Sequence, residues 1–197
     1  MKNTSILLLL KIVLPGAILL TSLNPSDGSA QQHPPAHKTT APRDGQHDFD
    51  FNFGKWRTHI QSLQGPANGK PNWVKMEGTV TVRKVWDGRA SLEEIEADGP
   101  GGHFEGTTLF LYNPQSHQWS QTFASSADGT LETSTMGEFK DGRGELFSYV
   151  NHNGKMVLIK DTWSEIVPNS HKFEEATSED GGKTWRPHFI ANLERIK

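Results

Sequence analysis

The chain has 197 residues, a formal net charge of −3, 34% hydrophobic and 22% charged residues, 19 glycines, 11 prolines and no cysteine. That length supports one domain, or two small ones, and buries roughly 70% of the unfolded surface without covalent staples. The lack of cysteine excludes a disulfide scaffold, a thiolate-ligated metal site, a thiol nucleophile and a lipoprotein anchor, and a charge near zero with no basic run argues against a nucleic-acid partner.

At the start, Lys2 precedes a run from Ile6 to Leu20 that is apolar except at Lys11 and Pro15, and Gly28-Ser29-Ala30 supplies small residues. This order predicts a secretory signal over residues 1–30, cut after Ala30, and a periplasmic or secreted product. An uncleaved anchor is the rival, but Lys11 and Pro15 interrupt a stretch already short for a span, so no membrane span is expected in the processed chain. Residues 31–46 are Pro-rich and lack apolar periodicity, which predicts a disordered lead-in. After cleavage, the amine of Gln31, two backbone amides and His33 have the donor set of a square-planar copper or nickel site. The bland alternative is a tail that happens to contain histidine. No other metal site and no cofactor is implied.

Residues 47–197 read as a single domain of strands. Trp56, Thr58, Ile60 and Ser62 alternate with Arg57, His59 and Gln61. Val74, Met76, Val80 and Val82 alternate with Lys75, Glu77, Thr79 and Thr81. Period-two patterning of this kind predicts half-buried strands. Turn chemistry follows at short intervals: Gln64-Gly65-Pro66, Asp87-Gly88, Asp98-Gly99-Pro100-Gly101-Gly102, Asn113-Pro114, Asp128-Gly129, Asp141-Gly142, Asn153-Gly154, Pro168-Asn169 and Asp180-Gly181-Gly182. A spacing of about 10 to 15 residues predicts an antiparallel meander of roughly nine or ten strands. Closure into an up-and-down barrel removes both edges, so the expected fold is all-β and barrel-shaped, with a two-sheet sandwich as the rival.

Two segments carry a resemblance. His47-Asp48-Phe49-Asp50-Phe51-Asn52-Phe53-Gly54-Lys55-Trp56 resembles the opening of a group of uncharacterised bacterial secreted proteins that begin FDF-x-x-G-x-W. Ser178-Glu179-Asp180-Gly181-Gly182-Lys183-Thr184-Trp185 matches their usual ending, S-x-D-G-G-K-T-W. Leu92-Glu93-Glu94, Tyr112-Asn113-Pro114, Gln118-Trp119-Ser120-Gln121 and Thr162-Trp163 fall where that group tends to carry similar residues, so the likeness covers about residues 47 to 196. The group looks lipocalin-like, and Gly54 and Trp56 are similar to the first-strand motif of calycins. The resemblance implies a barrel end where Trp56 is crossed by a basic side chain of the last strand, here Arg195. The ending also resembles the Asp-box hairpin of sialidases, but one such segment does not make a propeller. Asp180, Gly182 and Trp185 read as a structural corner: Asp180 bonds back to the turn, and glycine takes positive φ.

No P-loop, dinucleotide fingerprint, G-x-S-x-G or H-E-x-x-H motif is present, and the histidines of the domain form no close pair on one strand face. The G-x-G-x-G-x-x-P run of haem-binding nitrobindins is also absent, which lowers haem to a minor alternative. Alternation turns Trp119, Gln121 and Phe123 to one face, His171, Phe173, Glu175 and Thr177 to another, Asp161 with Trp163, and Leu92 with Glu94. The leading expectation is therefore an exported barrel that holds a small, mainly apolar molecule. Its lining would be Trp119, Phe123, Trp163, Phe173 and Phe189, with Gln121 and Glu175 orienting the ligand. An acid/base enzyme using Glu175 or Glu94 is the second class, and a filled structural module of the envelope the third. No oligomeric state is legible.

Overall fold

The structure, a computed structural model, describes residues 43–65, 72–152 and 154–197. The expected signal segment, His33 and most of the expected lead-in lie outside the described residues, as do Pro66 and Asn153 of two expected turns.

The described strands are β1 (Gly54–Gln64), β2 (Asn72–Val85), β3 (Ala90–Gly99), β4 (Gly102–Asn113), β5 (Gln118–Ser125), β6 (Thr135–Lys140), β7 (Arg143–His152), β8 (Lys155–Val167), β9 (Ser170–Ser178) and β10 (Arg186–Arg195). Each pairs antiparallel with its neighbours in sequence, and β1 pairs with β10 to close a barrel. The expected up-and-down barrel is the observed fold, and the sandwich is excluded because one closed sheet contains all the described strands. Closure joins Trp56 to Arg195, Ile60 to Ala191 and Ser62 to Phe189 across the β1/β10 seam.

The alternation seen in the sequence decides which face is inward. Trp56, Thr58 and Ile60 of β1 and Val80 and Val82 of β2 are buried, while Arg57 and Arg83, on the alternate positions, are exposed. Burial of such side chains drives closure, at roughly 1.5 to 3 kcal/mol for each large apolar group. The two hydrophobic clusters occupy different arcs of the wall. One gathers Trp56, Ile60, Val80, Ile95 and Leu193, and the other Phe49, Phe110, Trp119, Phe139, Leu146 and Trp163.

One end of the barrel is plugged by the segment ahead of β1. A single 3-10 turn, Asp50–Asn52, follows Phe49, whose ring centroid lies 4.8 Å from Phe110 and Phe139, 4.9 Å from Trp163 and 5.0 Å from Trp119. Trp119 Nε1 donates to the Gly45 carbonyl and Tyr112 Oη to Asp44, 2.8 and 2.7 Å away. Residues 44 and 45 thus belong to the packed domain rather than to a disordered lead-in: the indole and phenol need partners once buried, and this backbone provides them.

Candidate functional site

A cavity of about 500 Å³ opens inside the barrel beyond the plugged end. Its rim is formed by strand ends, where Gln64, Gly101, Gly102 and His103 lie. Its wall carries Val74, Met76, Phe104, Phe123, Phe173 and Phe189, and its floor reaches Thr58, Glu93, Thr108 and His171. A space this size, mostly apolar with a few convergent polar groups, has the proportions of a small-molecule site.

Those polar groups form an arc along consecutive strand registers. Gln121 on β5 stands opposite Thr135 on β6. Thr135 Oγ1 donates to Asp161 Oδ2 on β8 at 2.7 Å. Asp161 is the register partner of Glu175 on β9, which faces Phe189 on β10. The β9/β10 register shifts between Pro187 and Phe189. This irregularity brings His188 to the same wall, with Nε2 3.2 Å from Glu175 Oε1. Glu132, from the β5–β6 connection, completes the group on the cavity lining. Burial and the nearby Glu175 charge raise the Asp161 pKa, and burial raises that of Glu175. Glu132, an exposed residue, shifts up through partial burial and the Glu175 charge, and burial pushes His188 down, towards the neutral imidazole.

The floor is a second polar patch. Glu93 accepts from Asn52 Nδ2 at 3.3 Å and Thr108 Oγ1 at 3.2 Å, and burial raises its pKa. Beneath it, His171 packs edge-on to Trp56 at 4.6 Å and to Phe51 at 5.0 Å. Burial, and secondarily the Arg195 charge, pushes His171 down to about 4, so its ring is neutral at ordinary pH.

The structure brings Gln121, Phe123, Trp163, Phe173, Glu175 and Phe189 together on the cavity lining. Trp119 is placed differently: it is not among the lining residues and lies in the plug, edge to face with Phe49. Glu94 is corrected. It points outward, exposed and within 3.3 Å of Arg83 Nη2, while its neighbour Glu93 faces the cavity. The apolar Leu92 misled the parity, because it pairs across the outer face with Leu109, itself 38% exposed. At the plugged end the Arg195 guanidinium lies 4.0 Å above the Trp56 ring and donates to the carbonyls of Pro168, Phe53 and Phe51, each at 2.8 Å. Gly54 has φ +118°, and a Cβ there would stand 2.9 Å from Arg195 Nη1, so glycine makes room for the crossing.

The corner at the other end is built around Asp180, which accepts from Thr184 Oγ1 at 2.6 Å, Thr184 N at 2.9 Å, Lys183 N at 3.0 Å and Ser178 Oγ at 2.8 Å. These bonds hold its pKa down to about 2. Gly182 takes φ +87°, and Trp185 packs outside the barrel against Phe147, with Lys160 Nζ 4.6 Å from its ring centre. Among the described residues no cluster of His, Asp or Glu is arranged to hold a metal ion.

Sequence reading missed Phe49 as a plug, and missed Glu132 and His188 altogether as cavity residues. Phe49 lies outside any strand, where alternation gives no signal. Glu132 sits in a connection, and the position of His188 depends on a register irregularity, so neither follows from period two.

The sequence profile of a protein family of unknown function, DUF1579, matches residues 42–194, and the chain belongs to this family. No curated protein matches it. Among solved structures, the S-type phycobiliprotein lyase CPES from Guillardia theta superposes with a TM-score of 0.55 at 12% identity, covering 79% of this chain and 94% of that one. A de novo designed fluorescence-activating β-barrel gives 0.40 at 14% identity over 78% of this chain and 99% of its own. The designed barrel mFAP2b bound to DFHBI gives 0.43 at 8% identity, over 77% and 99%. The likeness to the lyase is one of fold, a closed antiparallel β-barrel.

Proposed function

We propose that this member of the family is an exported protein that binds a small, mainly apolar molecule inside its barrel. The observation that carries the reading is the cavity of about 500 Å³, walled by Phe104, Phe123, Phe173 and Phe189, with Gln121 and Glu175 in position to orient a bound molecule. A filled structural barrel would have side chains in that space, because small barrels are ordinarily packed through. Export is supported by the order of the first thirty residues, in which a basic start, an apolar run and a small-residue end succeed one another.

The test is a titration with an environment-sensitive apolar fluorophore. The protein is expected to enhance its emission saturably, with a stoichiometry of one. Phe123→Asp, which places a charge on the apolar wall, is expected to weaken binding by about 100-fold or more, since burying an unpaired carboxylate costs several kcal/mol. Unchanged affinity in a folded Phe123→Asp protein would remove the interior as the binding place. Export is checked by the mass of the protein recovered from its host, which is expected to begin at Gln31.

A second reading is favoured by one observation, the face-to-face placement of Asp161 and Glu175, both raised in pKa. Such a pair holds a proton near neutral pH, as general acid/base chemistry requires. It needs a turnover whose pH profile is lost in Glu175→Gln.

A further inference from the structure

The cavity wall is one-sided in its electrostatics. Glu93, Glu132 and Glu175 line it, Asp161 is the register partner of Glu175 on β8, and among the described lining residues none is lysine or arginine, the basic side chains being His103, His171 and His188. Hydrogen-bond capacity leans the same way. Gln121 is 9% exposed, lines the cavity, and its Oε1 has no partner. An acceptor left unpaired in a protein interior costs about 1 to 3 kcal/mol, which a donor on a bound molecule recovers. The groups facing Glu175 are Asp161 from β8, His188 from β10 and Glu132 from the β5–β6 connection. His188 is the sole cationic candidate there, and burial disfavours its charged form. Around this arc stand the rings of Phe123, Phe173 and Phe189, whose faces suit a cation as well as an alkyl chain.

We propose that the ligand carries a compact organic cation, a protonated amine, seated between Glu175 and Glu132 and donating to Gln121 Oε1, with its apolar remainder among the phenylalanines. This rests on the cavity being the ligand site. Burial raises the pKa of these carboxyls and a bound ammonium favours their ionised form, so amine affinity rises with pH as they lose their protons, below the ammonium pKa near 10. A fatty acid would instead bring a further carboxylate to a wall on which no lysine or arginine is described.

The experiment compares three probes with the same chain and different heads: octylamine, octanol and octanoate. Each is titrated calorimetrically into the full processed protein at about pH 8. Octylamine is expected to bind about tenfold or more tighter than octanol, as a charge-assisted hydrogen bond in a sheltered site allows, and octanoate to bind weakest. Glu175→Gln and, separately, Glu132→Gln are expected to lower the amine-to-alcohol affinity ratio by about fivefold or more, the second variant serving if the first does not fold. Octanol or octanoate binding as tightly as octylamine to the unsubstituted protein overturns the cationic head while leaving the interior site in place. Failure of all three probes overturns the interior site and the cationic head together.

Discussion

The His171 ring is buried, edge-on to Trp56, and its Nδ1 has no partner. With a folded pKa of about 4, below the ordinary 6.5, the unfolded chain takes up the proton first as pH falls. The stability this neutral ring permits is full above about pH 6.5 and is lost progressively towards about pH 4, by about 3 kcal/mol in total. Chemical denaturation of the wild type across that window is expected to show this loss, and His171→Phe to flatten it. The Asp161–Glu175 pair acts in the opposite sense. Its carboxyls hold protons more tightly folded than unfolded, so they favour folding most at low pH and penalise it as pH rises past about 4. Asp161→Asn is expected to be more stable than the wild type at about pH 8, with the gap narrowing as the pH falls towards 4. Arg195→Ala removes the cation over Trp56 and the donors to the Pro168, Phe53 and Phe51 carbonyls. A loss of about 3 kcal/mol is expected from urea unfolding. The Trp56–Arg195 pair was legible through the resemblance of Gly54-Lys55-Trp56 to the calycin first-strand motif, whereas His171 was not: nothing local in Ser170–Ser178 says that an aromatic floor lies beneath it.

At the scale of strands and turns, the period-two pattern was a reliable guide where the outer face is polar and failed where it is not. On β1 and β2 charged residues mark the outside. On β3 the outer face carries Leu92, paired with Leu109, and the inner face carries Ser91 and Glu93, so polarity points the wrong way. The turn dipeptides that lie within the described residues fall between strands or at their ends, because glycine, asparagine and aspartate adopt the conformations that reverse a chain at low cost. Glycine inside a strand carries a different message. Gly137 on β6 lies so close to β7 that a Cβ would stand 2.0 Å from the Glu145 carbonyl oxygen. Gly137→Ala is therefore expected to cost about 2 kcal/mol, since only a shift of paired backbone relieves the overlap. A melting temperature equal to the wild type would show that the two strands separate more easily than their packing implies.

For the whole molecule, hairpin after hairpin closes on itself because the first strand and the last share an apolar inner face, and closure leaves no described strand with an open edge. The architecture was legible from spacing and alternation alone. The site was legible only in part: Gln121, Glu175 and the phenylalanines follow from alternation, but their assembly into one arc depends on strand register. Asp161 meets Glu175, and His188 reaches it, through pairings that no local segment encodes. The interior space itself is a property of the closed sheet, set by how far Phe49 and Trp56 fill one end and by how little fills the other.

The central claim, that this interior holds a small molecule, is tested most directly by native mass spectrometry of the protein purified from its host, with the same sample denatured for comparison. The account predicts a defined extra mass, lost on denaturation and displaced by an excess of an apolar amine. A bare chain in both states that also takes up neither octylamine nor octanol would contradict it.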